Sequence, residues 1–137
     1  MLKPTQETTT TKWRSGGFRR LLNAARYLSD GIRHALLYDS AIRQVSAACF
    51  LLSCLAVLLP VTRIERLILI LSLLLIVLVE YINSAIEATV DRISLESHPL
   101  SKQAKDFASV AVAIAAIMSS LCWIMIAGPP VMAWLGK

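Results

Sequence analysis

Residues 80–91 read Glu80-Tyr81-Ile82-Asn83-Ser84-Ala85-Ile86-Glu87-Ala88-Thr89-Val90-Asp91, and they follow directly on thirteen uncharged residues, 67–79. One helix therefore carries acids out of an apolar span. At about 100° per residue, positions 80, 83, 84, 87 and 91 are i, i+3, i+4, i+7 and i+11, which confines Glu80, Asn83, Ser84, Glu87 and Asp91 to an arc of roughly 100°. Ionisable groups at hydrocarbon depth cost several kcal/mol unless paired, hydrated or neutralised, so this stripe is expected to face a protein interior or a wet cleft.

Working outward, the rest of the chain supports a membrane setting. The 137 residues are 56% hydrophobic, too apolar for an ordinary soluble domain and too short for several domains. Residues 107–126 give twenty consecutive positions without a charge, about 30 Å as a helix, which matches a bilayer core. The sequence predicts an all-α membrane protein with transmembrane helices at about 41–60, 66–90 and 105–127. An N-terminal amphipathic interfacial helix is expected at about 18–38, because Phe18, Leu21, Leu22, Ala25, Leu28, Ile32 and Leu36 recur at helical spacing with Arg19, Arg20, Arg26 and Arg33 opposite. Residues 1–16, with a Thr8 to Thr11 tract and little apolar content, are expected to form a mobile tail, and 17–137 one integral-membrane domain. No cleavable signal peptide is apparent, since a polar stretch stands where an apolar segment would be needed.

Pro60 is expected to end the first span before a short turn, Pro99 to break the chain ahead of the third with Ser101 as a helix cap, and Gly128-Pro129-Pro130 to stop the third span. Eight Lys/Arg in residues 1–44 and three in 91–106 stand against Arg63, Arg66 and Lys137, which places the N-terminus and the 91–106 loop in the cytoplasm. The net charge of +5 then reflects topology and attraction to anionic lipid, and no aromatic-interleaved basic patch argues for nucleic acid. Cys49, Cys54 and Cys122 all fall in apolar spans, where packing thiols are expected and a disulfide or metal framework is not.

The stripe has chemical content. Glu80 is its deepest acid and has no cation at i±3 or i±4, which suits a general base. Glu87, two turns further out, offers hard oxygens for Mg²⁺, and Asp39 a second carboxylate at similar height. Asp91 reads as a helix-end charge beside Arg92, and neither His34 nor His98 stands at metal-ligand spacing. Without a glycine-rich phosphate loop, any nucleotide chemistry must use helix and loop side chains.

The segment E-x-x-N-x-A-I-E-x-x-x-D from Glu80, with Ala41-Ile42-Arg43-Gln44 before it and Ala104-Lys105-Asp106 after it, resembles the prokaryotic diacylglycerol kinases over about residues 17–126. That resemblance implies a homotrimeric helical bundle with active sites between subunits at the cytoplasmic face of the bacterial inner membrane. It also implies transfer of the ATP γ-phosphoryl group to 1,2-diacylglycerol with Mg²⁺, giving phosphatidic acid and ADP. Matched position by position, Glu80 and Asn83 correspond to catalytic residues, and Asp39 and Glu87 to metal ligands, Asp39 standing where the family often has Glu. Arg20, Tyr27, Asp39, Glu87, Glu96, Ser97, His98, Lys105 and Asp106 match ATP-binding positions, and Arg43, Gln44, Glu80 and Ser109 match the lipid site. Undecaprenol kinases share the stripe, although the acid-free run 40–45, with Val45 where related enzymes can carry an acid, looks more like the diacylglycerol enzymes. The different-class reading is a proton- or ion-conducting oligomer with Glu80 as relay. Acids clustered toward one interface favour interfacial chemistry over transport.

Overall fold

A computed structural model describes residues 17–93, 96 and 98–136, so the expected tail and Ser97 lie outside the described residues. Four helices follow in order: α1 (Gly17–Tyr38), α2 (Ser40–Leu58), α3 (Arg63–Ile93) and α4 (Pro99–Leu135). The last three are long and apolar enough to cross a bilayer. Each packs on its neighbour in sequence, α1 on α2, α2 on α3 and α3 on α4.

A single extended residue, Asp39, separates α1 from α2. Its backbone N–H closes the last turn of α1 on the Ala35 carbonyl at 2.9 Å, while its Oδ1 accepts from the N–H groups of Ala41 and Ile42 at 2.9 and 3.0 Å and so caps α2. Arg43 donates from Nη1 to the Leu36 carbonyl at 3.4 Å, setting a cation at the C-terminal end of α1 where the helix dipole favours one. The corner therefore satisfies both helix ends from three consecutive turns of sequence.

At the opposite end of the bundle the α2–α3 turn is equally specific. Glu65 Oε2 accepts from the Thr62 N–H at 2.8 Å while the Thr62 hydroxyl accepts from the Glu65 N–H at 3.3 Å, a reciprocal capping box at the start of α3. Arg66 then reaches back, donating from Nε to the Ala56 carbonyl at 3.1 Å and from Nη2 to the Leu59 carbonyl at 3.2 Å. Pro60 denies the Ala56 carbonyl its i+4 donor, and the Leu59 carbonyl also accepts from the Val61 N–H at 2.9 Å, so the guanidinium closes the hairpin chiefly by satisfying Ala56. Arg66→Met is expected to lower the unfolding free energy in detergent by about 1–3 kcal/mol, the cost of leaving the Ala56 carbonyl unpaired. A loss below about 0.5 kcal/mol in reversible unfolding would mean that water replaces the guanidinium at this end.

Beneath that turn Ala56, Leu59, Leu69 and Ala127 form a buried cluster joining α2, α3 and α4, with Trp123 and Ile126 packed on its edge. Trp123 thus packs between helices, whereas Trp134 is exposed. The inner face of α3 continues through Leu69, Leu73 and Glu80, and the facing side of α4 through Ala108, Ala115, Ser119 and Ala127. Small residues on α4 let the two backbones approach closely, the usual solution for apolar helices without a solvent-driven core. Ser72 and Ser119 share a hydrogen bond of 3.0 Å across this interface. All three cysteines are free, in keeping with packing thiols.

Two expected boundaries are corrected. Helix α4 begins with His98 as its cap, Nδ1 accepting from the Leu100 N–H at 3.2 Å, and with Pro99 in the first turn; Ser101 already lies inside the helix. Proline lacks the N–H that a first turn leaves unused, so Pro99 starts this helix as readily as it would break another. Nor does α4 stop at Gly128: it runs through Pro129 and Pro130 to Leu135. Ala127 is anchored in the buried cluster one turn before the prolines, while Pro130 borders an apolar cleft against Leu55, Leu58 and Leu59; prolines that would break a helix in water are tolerated in helices of this apolar kind.

Candidate active site

Among the described residues the buried polar side chains are Glu80 and Ser119. The α3–α4 contacts Ser72–Ser119 and Asp91–Lys105 bracket Glu80, so the α4 stretch opposite it includes the buried Ala108 and Ala115. Along the axis Glu80 stands about 26 Å from Arg63 at the start of α3 and about 20 Å from Ile93 at its end. With a total length of about 46 Å, α3 outruns a bilayer core of about 30 Å, which puts the stripe toward the α1 and loop end of the molecule.

One turn outward, Asn83 donates from Nδ2 to Glu87 Oε1 at 3.2 Å, the i,i+4 contact that the stripe's spacing permits. Asn83 Oδ1 is buried and has no hydrogen-bond partner among the described residues. On the other side of the stripe, the Ser84 hydroxyl donates to Asp39 Oδ2 at 2.7 Å. That bond, reinforced by the Ile42 and Ala41 N–H groups and by the Arg43 charge, holds the Asp39 carboxyl below the usual carboxylate range, so it stays ionised into mildly acidic solution. The carboxylates of Asp39 and Glu87 both act electrostatically on Glu80. Four predicted residues, Asp39, Glu80, Asn83 and Glu87, are thus brought together from two distant parts of the chain.

Beside them a cleft of about 580 Å³ opens between α1 and α3, lined by Gly31, His34, Tyr38, Asp39, Tyr81 and Ser84 among others. The His34 and Tyr38 rings lie 4.8 Å apart along its α1 wall. Sequence reasoning singled out neither Tyr38 nor Tyr81, because an aromatic residue beside a helical span signals packing until the opposite wall is known.

The remaining predicted residues are arranged differently. Lys105 forms an ion pair with Asp91, one turn beyond Glu87, so Asp91 is paired across to α4. Asp106 pairs with Lys102 at 3.1 Å on the exposed side of α4, and Ser109 donates to the Lys105 carbonyl at 3.0 Å. His98 is occupied as the α4 cap, and Glu96 is exposed in the connection before it. Arg20 and Tyr27 lie on α1 about 28 and 18 Å from Asp39 along the helix axis, away from the carboxylates within one chain. Arg43 sits next to Asp39, and Gln44 is exposed on α2.

The donor set fits a hard divalent cation. Asn83 Oδ1, Glu87 Oε2 and the remaining lone pair of Asp39 Oδ2 are oxygens, the ligands Mg²⁺ prefers. Among the described residues no three His, Cys, Asp or Glu side chains converge as a complete cage. Magnesium commonly takes one or two carboxylates and completes its shell with water and phosphate, which agrees with so open an arrangement.

A carboxylate stripe toward one end of a bundle with three helices long and apolar enough to cross a membrane is an arrangement that interfacial chemistry could use, and comparison with known proteins gives the family. The family model for prokaryotic diacylglycerol kinase matches residues 26–127. The diacylglycerol kinases of Escherichia coli and Pseudomonas aeruginosa are each 46% identical over 107 residues, covering 78% of this chain and 88% and 87% of theirs. That of Helicobacter pylori is 43% identical over 107 residues, covering 84% of its length. The chain belongs to the prokaryotic diacylglycerol kinase family, a family of lipid kinases.

Proposed function

We propose that this protein is a diacylglycerol kinase that transfers the γ-phosphoryl group of ATP to the free hydroxyl of 1,2-diacylglycerol, giving phosphatidic acid and ADP. The observation that carries the reading is the buried Glu80, flanked on its own stripe by Asn83 and Glu87 and approached by Asp39, in a chain of this family. Glu80 takes the proton of the lipid hydroxyl as its oxygen bonds to the γ-phosphorus and the bond to the ADP oxygen breaks. Asn83 orients that region and holds Glu87 through its amide. Asp39 and Glu87 would hold Mg²⁺, which when bound neutralises phosphate charge.

Residues 17–137 act as one kinase domain. In this reading helix α1 lies in the interface with Leu21, Leu22 and Leu28 toward the acyl region and its arginines among headgroups, and the cationic loops support a site on the cytoplasmic side of the bacterial inner membrane. A homotrimer supplies what one chain lacks. Arg20 and Tyr27 are far from their own carboxylates, and bringing such residues to a neighbour's stripe would complete an ATP site with Lys105, Asp106, Glu96, Ser97 and His98. Arg43, Gln44 and Ser109 border the lipid.

The deciding experiment is ATP-dependent phosphorylation of diacylglycerol and undecaprenol in parallel, with purified protein in lipid micelles. Phosphatidic acid as the dominant product is expected. Preferential undecaprenyl phosphate would move the substrate to the polyprenol class, and no product from either lipid would return the stripe to a conducting or structural role.

A further inference from the structure

Several serine and threonine hydroxyls of this bundle share a habit. Ser29, Ser53, Ser109, Ser120 and Thr89 each turn back onto a backbone carbonyl three or four residues earlier in their own helix. Ser84 departs from it. Its hydroxyl donates at 2.7 Å to a carboxylate oxygen 45 residues away, although the carbonyl of residue 80 stands one turn back.

The partner is as constrained as the donor. Asp39 Oδ1 is filled by two backbone N–H groups of the α2 cap, so Oδ2 alone retains acceptor capacity beyond the Ser84 bond. With the cap fixing one oxygen and Ser84 the other, the carboxylate cannot rotate, and the remaining lone pair of Oδ2 has one direction available. We propose that Ser84 is a positioning residue of the phosphoryl-transfer site, holding Asp39 Oδ2 beside the Glu80–Glu87 stripe so that nucleotide-bound Mg²⁺ meets that oxygen already oriented. The inference rests on the kinase reading for its substrate but on the Asp39–Ser84 geometry for its content. Hydrogen bonds to metal-binding carboxylates govern affinity in this way, and removing one typically costs 10–100-fold.

The test uses full-length protein in micelles and two readouts: Mg²⁺-dependent binding of a non-hydrolysable ATP analogue by calorimetry, and lipid phosphorylation. Ser84→Ala is expected to raise the Mg²⁺ concentration for half-maximal binding by about tenfold, with a smaller effect on kcat at saturating Mg²⁺. Ser84→Thr keeps the hydroxyl, and the cleft bordering Ser84 has room for its methyl group, so it is expected to restore most of the affinity. In an Asp39→Asn background, Ser84→Ala is expected to add little, because the two residues act as one unit.

Parent-like Mg²⁺ dependence in Ser84→Ala overturns the proposal, as do equal losses in Ala and Thr variants or full additivity with Asp39→Asn. A parent that phosphorylates neither lipid removes the kinase reading while nucleotide-analogue binding still decides on Ser84. A parent that binds no analogue in Mg²⁺ removes both.

Discussion

Glu80→Gln is expected to reduce lipid phosphorylation by about 10²- to 10⁴-fold, the range supplied by a positioned general base. Glutamine has nearly the same volume and remains polar, so the packing of α3 against Ala108 and Ala115 should survive. What it cannot do is accept the hydroxyl proton as the new phosphorus–oxygen bond forms. In barrier terms the loss is about 3–5 kcal/mol, far above the effect of small packing changes at such a site. Binding of the nucleotide analogue and its Mg²⁺ dependence should stay close to those of the parent, because Glu80 is not among the oxygens offered to the cation. The measurement is the initial rate of phosphatidic acid formation at saturating ATP and lipid, with elution volume as a check on assembly. A rate within about tenfold of the parent would remove Glu80 from the proton-transfer step.

The helix positions were legible because they depend on properties each residue carries with it. Thirteen uncharged residues followed by acids at i, i+7 and i+11, with Asn83 and Ser84 on the same arc, place a helix, its apolar stretch and its polar stripe without reference to any other part of the chain. The same logic located α1 and the turn at Asp39 to within a residue or two. What could not be read are pairings whose partners are set by how helices dock. Nothing near Lys105 in the sequence announces Asp91, nor does anything near Arg66 announce the carbonyls of Ala56 and Leu59.

The helix α4 boundaries failed for a related reason. Ser101 has a residue type that caps helices, but a cap is chosen by backbone direction as well as side-chain type, and Pro99 fixes that direction one residue after His98. Pro129 and Pro130 carry a strong local signal to stop, and the apolar helix anchored at Ala127 runs on past it. In the site, the stripe itself was visible whereas its link to Asp39 through Ser84 was not, since spacing reveals which side chains share a face and says nothing of what stands opposite.

Glu87→Gln should fail differently from Glu80→Gln. Its expected signature is a more than tenfold increase in the Mg²⁺ concentration needed for nucleotide-analogue binding, since a direct ligand is worth at least as much as the hydrogen bonds that orient one. The contact with Asn83 dictates the details. Asn83 Nδ2 donates to Glu87 Oε1, so an introduced glutamine would keep that bond by turning its own oxygen toward Asn83. Its amide NH₂ would then occupy the place of Oε2, presenting donors to a cation where the carboxylate presented lone pairs. Loss of one negative charge beside Mg²⁺ adds to the effect, and raising Mg²⁺ should recover part of the rate in this variant but none in Glu80→Gln. Titrating Mg²⁺ at fixed ATP analogue, then measuring phosphorylation at the highest concentration reached, separates the two residues. Unchanged Mg²⁺ dependence would take Glu87 out of the metal site and leave Asn83 Oδ1 and Asp39 Oδ2 as its protein ligands.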